Sequence, residues 1–261
     1  MKRYKIAILI LSFLVVIEGA LLIFLWVSRP KKIPKIPAAR GKIAIVIDDW
    51  GYNLNNLAIL KQIKYPLTVS VLPNLSYSKI ISQEAHDSGF EVILHLPMAP
   101  HEKIRLEHNT IMTSMSEKTI RDIIAADLDN IAYARGVSNH MGSEAVQDSR
   151  TMSIVFSELQ KRGLYFLDSR VSQGSVCPEL ARKMHLGFVK RSVFLDNNDN
   201  PEYIRNQIYQ LKLKARVYGR AIGIGHDRRL TLQVLKDIMP ELEKEGYRFV
   251  FVLELVNECM Y

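Results

Sequence analysis

From residue 41 onward the chain alternates short apolar runs with amphipathic stretches. The runs are IAIVI (43–47), LTVSVL (67–72), FEVILHL (90–96), GVSNHM (136–141), LYFLD (164–168), FVKRSVFL (188–195), AIGIG (221–225) and FVFVLEL (249–255). Short runs rich in Val, Ile and Phe suit strands buried on both faces. Between them, Ile120, Ile123, Ile124, Leu128 and Ile131 share one helical face behind a capping box of Ser114 and Glu117. Asn200 and Pro201 read as the N-cap and first turn of a helix carrying Ile204, Ile208 and Leu211. Residues 149–162 and 231–245 read as further helices, the second with an end or kink at Pro240. Strands alternating with helices predict an α/β fold whose parallel sheet closes into a barrel. An open doubly wound sheet is the alternative. The first strand is followed by IDDWGYN rather than a glycine-rich phosphate loop, which weighs against a nucleotide site.

The pattern differs before residue 41. Residues 6–27 form one apolar run whose only charge is Glu18. At about 1.5 Å per residue the run reaches roughly 33 Å, enough to cross the hydrocarbon core. It ends in FLWVSRP, without a small-x-small cleavage site, so it reads as an uncleaved anchor. The expected division is a short basic tail (1–5), a transmembrane anchor (6–27), a Pro/Lys-rich linker (28–41) and a barrel domain (42–258). Bases flank both sides of the run, so the positive-inside rule does not orient it. The short basic start favours export of the bulk. The expectation is a single-pass protein of the cytoplasmic (inner) membrane with its main domain exported, periplasmic or extracellular. Glu18 is most simply a tolerated charge or a helix–helix contact.

The net charge of +8 suggests nucleic acid until it is located. Residues 1–40 hold eight Lys/Arg and one acid, whereas the rest carries 27 bases and 26 acids. The main domain is therefore nearly neutral, and no nucleic-acid face is expected. The composition, 48% hydrophobic and 24% charged, excludes a disordered chain. Two cysteines, Cys177 and Cys259, cannot form a Cys-rich zinc site and read as free thiols, so any metal must be held by His and carboxylates.

In such barrels chemistry gathers at the carboxyl ends of the strands. The residues there are Asp48 and Asp49, Asn74, His95, Asn139 and His140, Asp168 with Arg170, Asp196, His226 with Asp227, and Glu254. Singly, each has a plainer reading as a turn, cap or packed residue, Asp196 and Asp227 above all. Adjacent acids point to opposite faces of an ideal strand, so one of Asp48 and Asp49 reads as merely solvated. Together, one Asp and two His make a common open zinc set. A second carboxylate could take a proton from water and a further His could protonate a leaving group. Trp50 could stack on a sugar or pack at the mouth. His86 reads as a surface residue and His185 as a packing or capping one. Residues 97–115, with His101 and His108, form a connector long enough to serve as a lid.

The stretches IAIVIDDWGYN, TVSVLPN, EVILHLPMAP, GVSNHMGS, LYFLDSR and AIGIGHDRRLTLQVL together resemble the divergent polysaccharide deacetylase family over residues 42–256. The resemblance implies a distorted (β/α) barrel of seven or eight strands and metal-dependent removal of acetyl groups from N-acetylated sugars. It implies Asp48 as base, Asp49 as metal ligand and His226, in Ile224-Gly225-His226, as general acid. The superfamily's His-x-x-x-His is matched only by His95, since Ala99 fills the second place, and His140 is the natural substitute ligand. The Arg-x-Pro motif of the superfamily has no clear match. The expected function is a membrane-anchored, extracytoplasmic carbohydrate deacetylase-like hydrolase with a divalent metal, most simply zinc, at Asp49, His95 and His140. Its expected partner is an acetylated glycan or cell-envelope polysaccharide. The alternatives are a catalytically inactive glycan- or protein-binding envelope factor on the same barrel, and a metal hydrolase of another ester or amide.

Overall fold

The computed structural model describes residues 40–258, together with Tyr4 and residues 17–19. The proposed anchor 6–27 lies outside the described residues apart from 17–19, which are helical, and so do Cys259 and most of the linker. Among the described residues no helix is long and apolar enough to cross a membrane.

Each expected run carries a strand. In chain order the elements are β1 (Gly41–Trp50), α1 (Leu57–Leu60), β2 (Thr68–Val71), α2 (Ser78–Asp87), β3 (Glu91–Met98), α3 (Glu117–Asn130) and β4 (Ala134–Met141). After a 3-10 turn (Ala145–Gln147) follow α4 (Ser149–Lys161), β5 (Tyr165–Asp168), α5 (Cys177–Met184), β6 (Phe188–Lys190) and β7 (Val193–Phe194). The chain continues through α6 (Pro201–Tyr218), β8 (Arg220–His226), α7 (Arg229–Lys244), β9 (Tyr247–Val250) and α8 (Val252–Asn257). All pairings are parallel, in the order β6-β5-β4-β3-β2-β1-β8-β7. That order follows the chain with one wrap from β1 to β8, as a curled, distorted barrel requires; a doubly wound sheet would reverse at its middle. β9 lies off this path, pairing with the first half of β1 (Gly41–Ala44) while β2 pairs with its second half.

The run 188–195, expected as one strand, is two. β6 pairs with β5 at one end of the path and β7 with β8 at the other. Between them the Arg191 N–H donates to the Asp168 carbonyl (3.0 Å) and the Ser192 N–H to the Ile222 carbonyl (2.8 Å). Two consecutive residues thus bridge both ends of the sheet, and the short crossing forces it to curl.

The strand alternation separates two cores. Ile43, Ile45 and Ile47 of β1 face the helices. Ala44 and Val46 face the interior of the curl with Ile93, Tyr165, Leu167, Ile222 and Ile224. The amphipathic faces read from the sequence are buried: Ile120, Ile124 and Leu128 of α3, and Ile204, Ile208 and Leu211 of α6. The cap of α3 is Ser116 rather than Ser114; its Oγ accepts the Thr119 N–H at 3.1 Å. Asn200 caps α6 as expected, accepting from Glu202 and Tyr203 at 2.9 and 3.0 Å. Pro240 does not end α7, which runs on to Lys244.

The last apolar run departs from expectation. It stays extended only to Val250, and Val252–Asn257 turns into α8, which buries Val252, Leu255 and Val256 in the interior core. The cause is Glu91, a buried carboxylate at the amino end of β3. Its oxygens accept the Val252 and Leu253 N–H groups (2.8 and 3.1 Å), the Thr68 hydroxyl (2.5 Å) and the Tyr165 hydroxyl (3.0 Å). Gly136 makes room for this plug, since a Cβ there would lie 2.5 Å from the Tyr165 ring. Glu254 consequently sits on α8, paired with Lys42 (2.9 Å) and Arg248, at the amino end of the sheet. Its assignment to the functional rim is corrected. Replacing Glu91 by Ala would strand two backbone donors and two hydroxyls in a dry core. We expect a loss of about 3 kcal/mol or more in chemical denaturation, with a smaller loss for Glu91→Gln, whose amide oxygen still accepts.

Candidate metal centre

The alternation that turns Ala44 and Val46 inward also turns Asp48 inward at the carboxyl end of β1. It does the same for His95, two residues after Ile93, and for His226, two after Ile224. Ser138, two residues before His140, faces the same interior through its bonds to Ser70 and His95. By the same rule Asp49 should point outward. It does not, because β1 carries a register break between Ile47 and Trp50 and Asp49 takes a left-handed φ of 65°. This bulge turns the second carboxylate into the same mouth. The plainer alternative, that one of the paired acids is merely solvated, does not hold: both carboxylates lie near His95.

The donor atoms of Asp49, His95 and His140 lie within 4.8 Å of one another. Asp49 Oδ1 is 3.3 Å from His95 Nε2 and 3.0 Å from His140 Nδ1. Ala99, in the second place of the His-x-x-x-His spacing, is packed in the core. His140 reaches the site across the ladder instead, since it is the register partner of Pro97 in β3. The two imidazoles meet edge to face, with centroids 4.9 Å apart. His95 Nδ1 pairs with Ser138 Oγ (2.7 Å), and Ser138 with Ser70 (2.8 Å). With Nδ1 donating to Ser138, Nε2 presents its lone pair to the mouth.

These residues fit a divalent cation on their own geometry. Asp49 Oδ1, Asp48 Oδ1 and His140 Nε2 are buried without an aligned hydrogen-bond partner among the described residues. Buried polar atoms are normally paired, and a carboxylate converging with two imidazoles, its Oδ1 and one imidazole nitrogen of His140 left without an aligned partner, suits an ion with N and O ligands. Burial resists ionisation of Asp49, but the contacts and charge of His140 and His95 hold its carboxyl far below the usual range. Asp48 is raised, chiefly by burial and against the charge of His95.

On the other side of the mouth, Asp196 serves His226 completely. Its Oδ1 accepts His226 Nδ1 (2.7 Å), and its Oδ2 accepts the His226 backbone N–H (2.8 Å) and the Thr231 hydroxyl (2.7 Å). Gly225 leaves space for this, as a Cβ there would lie 2.8 Å from the Thr231 methyl and 3.4 Å from Asp196 Oδ2. Burial works to lower the His226 pKa, but the hydrogen bond and charge of Asp196 raise it overall. Asp196, in turn, is depressed by His226 against its own burial.

The sequence reading missed Arg191 and Phe194. The Arg191 guanidinium lies 3.6 Å over the Phe194 ring, and that ring stacks on His226 at 5.8 Å. Burial and the charge of Arg170 lower Arg191 to about 10, while Asp168 and Asp48 oppose this. The signal was present in the run KRSVFLD, whose split across the sheet could not be seen.

Other rim candidates make hydrogen bonds that hold the loops around the mouth. Asn74 is spent on α3, its amide donating to Asp127 (2.7 Å) and its N–H to Asn130 (3.0 Å). Asp168 caps its own loop, accepting from the Arg170 N–H (2.7 Å) and the Ser175 hydroxyl (2.8 Å). Arg170 is exposed with a φ of 52°, and its carbonyl accepts from Arg191 (3.0 Å). Asn139 holds the same loop through the Ser169 N–H (2.9 Å). Asp227 is bound by Asn56 (2.8 Å) and raised to about 6, mainly by burial. Trp50 is fully buried, so it packs rather than stacks on a ligand. His86 stacks on Tyr133 and His185 takes the left-handed cap of α5.

A model of the family described as divergent polysaccharide deacetylase matches residues 45–256. The chain belongs to that family. It is 37% identical over 222 residues to the uncharacterized protein YibQ of Escherichia coli, covering 85% of this chain and 69% of YibQ. Among solved structures, the uncharacterized protein ATU2773 from Agrobacterium tumefaciens superposes with a TM-score of 0.80 at 22% identity, over 85% of this chain and 92% of the other. A family 4 carbohydrate esterase from Streptomyces lividans, in complex with acetate, superposes with a TM-score of 0.56 at 16% identity, over 82% and 94% of the two chains. These two likenesses concern the fold. Within this deacetylase family member, the candidate centre combines a bulge carboxylate with histidines from adjacent strands.

Two outcomes are expected. Purified protein reconstituted with zinc and assayed by elemental analysis should hold close to one ion, and Asp49→Ala or His95→Ala should lose it; retention by both would remove the assignment. In Asp196→Asn the His226 pKa should fall, as read from its imidazole resonance by NMR. The pair's stabilisation is fully present below 6.5 for the raised His226 and above 3.8 for the depressed Asp196. It fades as pH rises through the elevated histidine value or falls through the depressed aspartate value. The variant's deficit, about 1–3 kcal/mol, should therefore be largest between those limits and shrink as pH rises through the elevated His226 value or falls through the depressed Asp196 value.

Proposed function

We propose that this protein is a metal-dependent deacetylase of N-acetylated polysaccharide, tethered by residues 6–27 to the outer side of the cytoplasmic membrane. The observation that carries the reading is the convergence of Asp49, His95 and His140, with Asp48 beside His95 and His226 beside Asp48 on the adjoining strand. The family membership supports an acetylated glycan as substrate. The apolar run and the basic linker support the tether.

Asp49, His95 and His140 would hold the ion, and zinc is the metal this donor set suits best. When bound, it would supply Lewis acidity toward an acyl oxygen and toward water. Asp48 acts as the base: among the described residues its Oδ1 has no hydrogen-bond partner, Oδ2 lies 3.7 Å from His95 Nε2, and burial raises its affinity for a proton. His226 acts as the acid. Asp196 fixes Nδ1, so Nε2 is the nitrogen that gives its proton to the departing amine. Because Asp196 favours the protonated imidazole, the acid form persists above the ordinary histidine range. The nitrogen leaves as a free amine and the acyl group as acetate.

The decisive experiment is acetate release from acetylated oligosaccharides by the zinc-loaded protein. Asp48→Asn and His226→Ala should each lower kcat by roughly 10²–10⁴-fold while the bound zinc stays in place. Wild-type turnover that is absent, or indifferent to Asp48, sinks the catalytic reading and leaves a glycan-binding barrel.

A further inference from the structure

Of the nine exposed large hydrophobic side chains of the domain, four lie on helices (Ile80 on α2; Tyr209, Val217 and Tyr218 on α6) and five on loops. Tyr52 (48% exposed) and Leu54 (37%) lie on the loop after β1, Tyr77 on the loop after β2, Ile104 (51%) on the segment after β3, and Val171 on the loop after β5. All of these loops leave carboxyl ends of parallel strands, the end that carries the metal centre. Isolated exposed apolar groups need no explanation, but their gathering on the loops of one mouth does.

Tyr52 is the best defined of them. It stands three residues beyond Asp49, and its hydroxyl donates to Glu107 of the long segment after β3. Its phenol is raised by burial, by Glu107 and by the charge of Asp49, against Arg105. The ring is thus held between the β1 loop and the 97–115 segment, beside the metal ligands, with half its surface open. Trp50, the aromatic that the sequence offered for this role, is buried.

We propose that Tyr52 is a platform for the pyranose ring next to the sugar whose acetyl group enters the metal centre. The inference rests on the deacetylase reading and adds the residue that would grip the neighbouring sugar. An aromatic face covers the C–H face of a pyranose while its hydroxyl edge is left to polar groups, here Arg105 and Glu107. The tether to Glu107 sets the ring before the ligand arrives, so little freedom is lost on binding.

The test is calorimetric binding to the full zinc-loaded chain of tetra-N-acetylchitotetraose and of N-acetylglucosamine. Tyr52→Ala should weaken the tetramer about tenfold, with zinc content and monosaccharide affinity unchanged. Tyr52→Phe, which keeps the ring, should bind the tetramer within about threefold of wild type. Equal tetramer affinity in wild type and Tyr52→Ala overturns this inference alone. Loss of zinc, or an equal loss for both sugars, also overturns it by making Tyr52 a support of the metal centre. A wild-type protein that binds neither sugar overturns both readings.

Discussion

Two consecutive carboxylates can serve one mouth only if their strand breaks its alternation. The left-handed turn at Asp49 is that break, and the centre depends on it. An L-residue in this conformation is costly, although Asp tolerates it better than most. It persists because β2 and β8 grip β1 from both sides up to the bulge. The result is a division of labour by geometry. Asp48 stays in phase with the interior core and is buried, whereas Asp49 is lifted toward the histidines and is partly open.

The rest of the barrel is arranged around the two ends of this strand. At the carboxyl end, ladder register sets His140 beside His95, so the pair comes from neighbouring strands instead of one helical turn or loop. At the amino end, the Glu91 carboxylate binds the start of α8 and closes the interior with Val252, Leu255 and Val256. A buried acid is tolerable there because every lone-pair direction meets a donor. A buried carboxylate therefore does opposite work at the two ends: saturated at the plug, under-coordinated at the mouth.

The segment 188–196 joins closure to chemistry. Its two short strands pair with opposite ends of the sheet, and its last residue, Asp196, orients His226. Arg191 and Phe194 stack behind that imidazole. Curling the sheet and aligning the candidate acid are thus one structural event, and a stretch that looks like a single ordinary strand carries both.

The sequence by itself determined the alternating α/β pattern, the strands at each apolar run and the place of Asp48, His95 and His226 at carboxyl ends of strands. These follow from local period and from hydrophobic content, which neighbours in the chain report. It also singled out Asp49, His95 and His140 as a possible ligand set. Only the tertiary structure decided which way Asp49 points, because a bulge is imposed by flanking strands. It alone moved Glu254 to the opposite end of the sheet and showed Asn74 and Asp168 hydrogen-bonded to a distant helix or to their own loop. It replaced Trp50 by Tyr52 at the surface, since burial depends on packing that no single segment contains. Pairing across a ladder and saturation of a buried charge are long-range facts, and residue spacing carries no record of them.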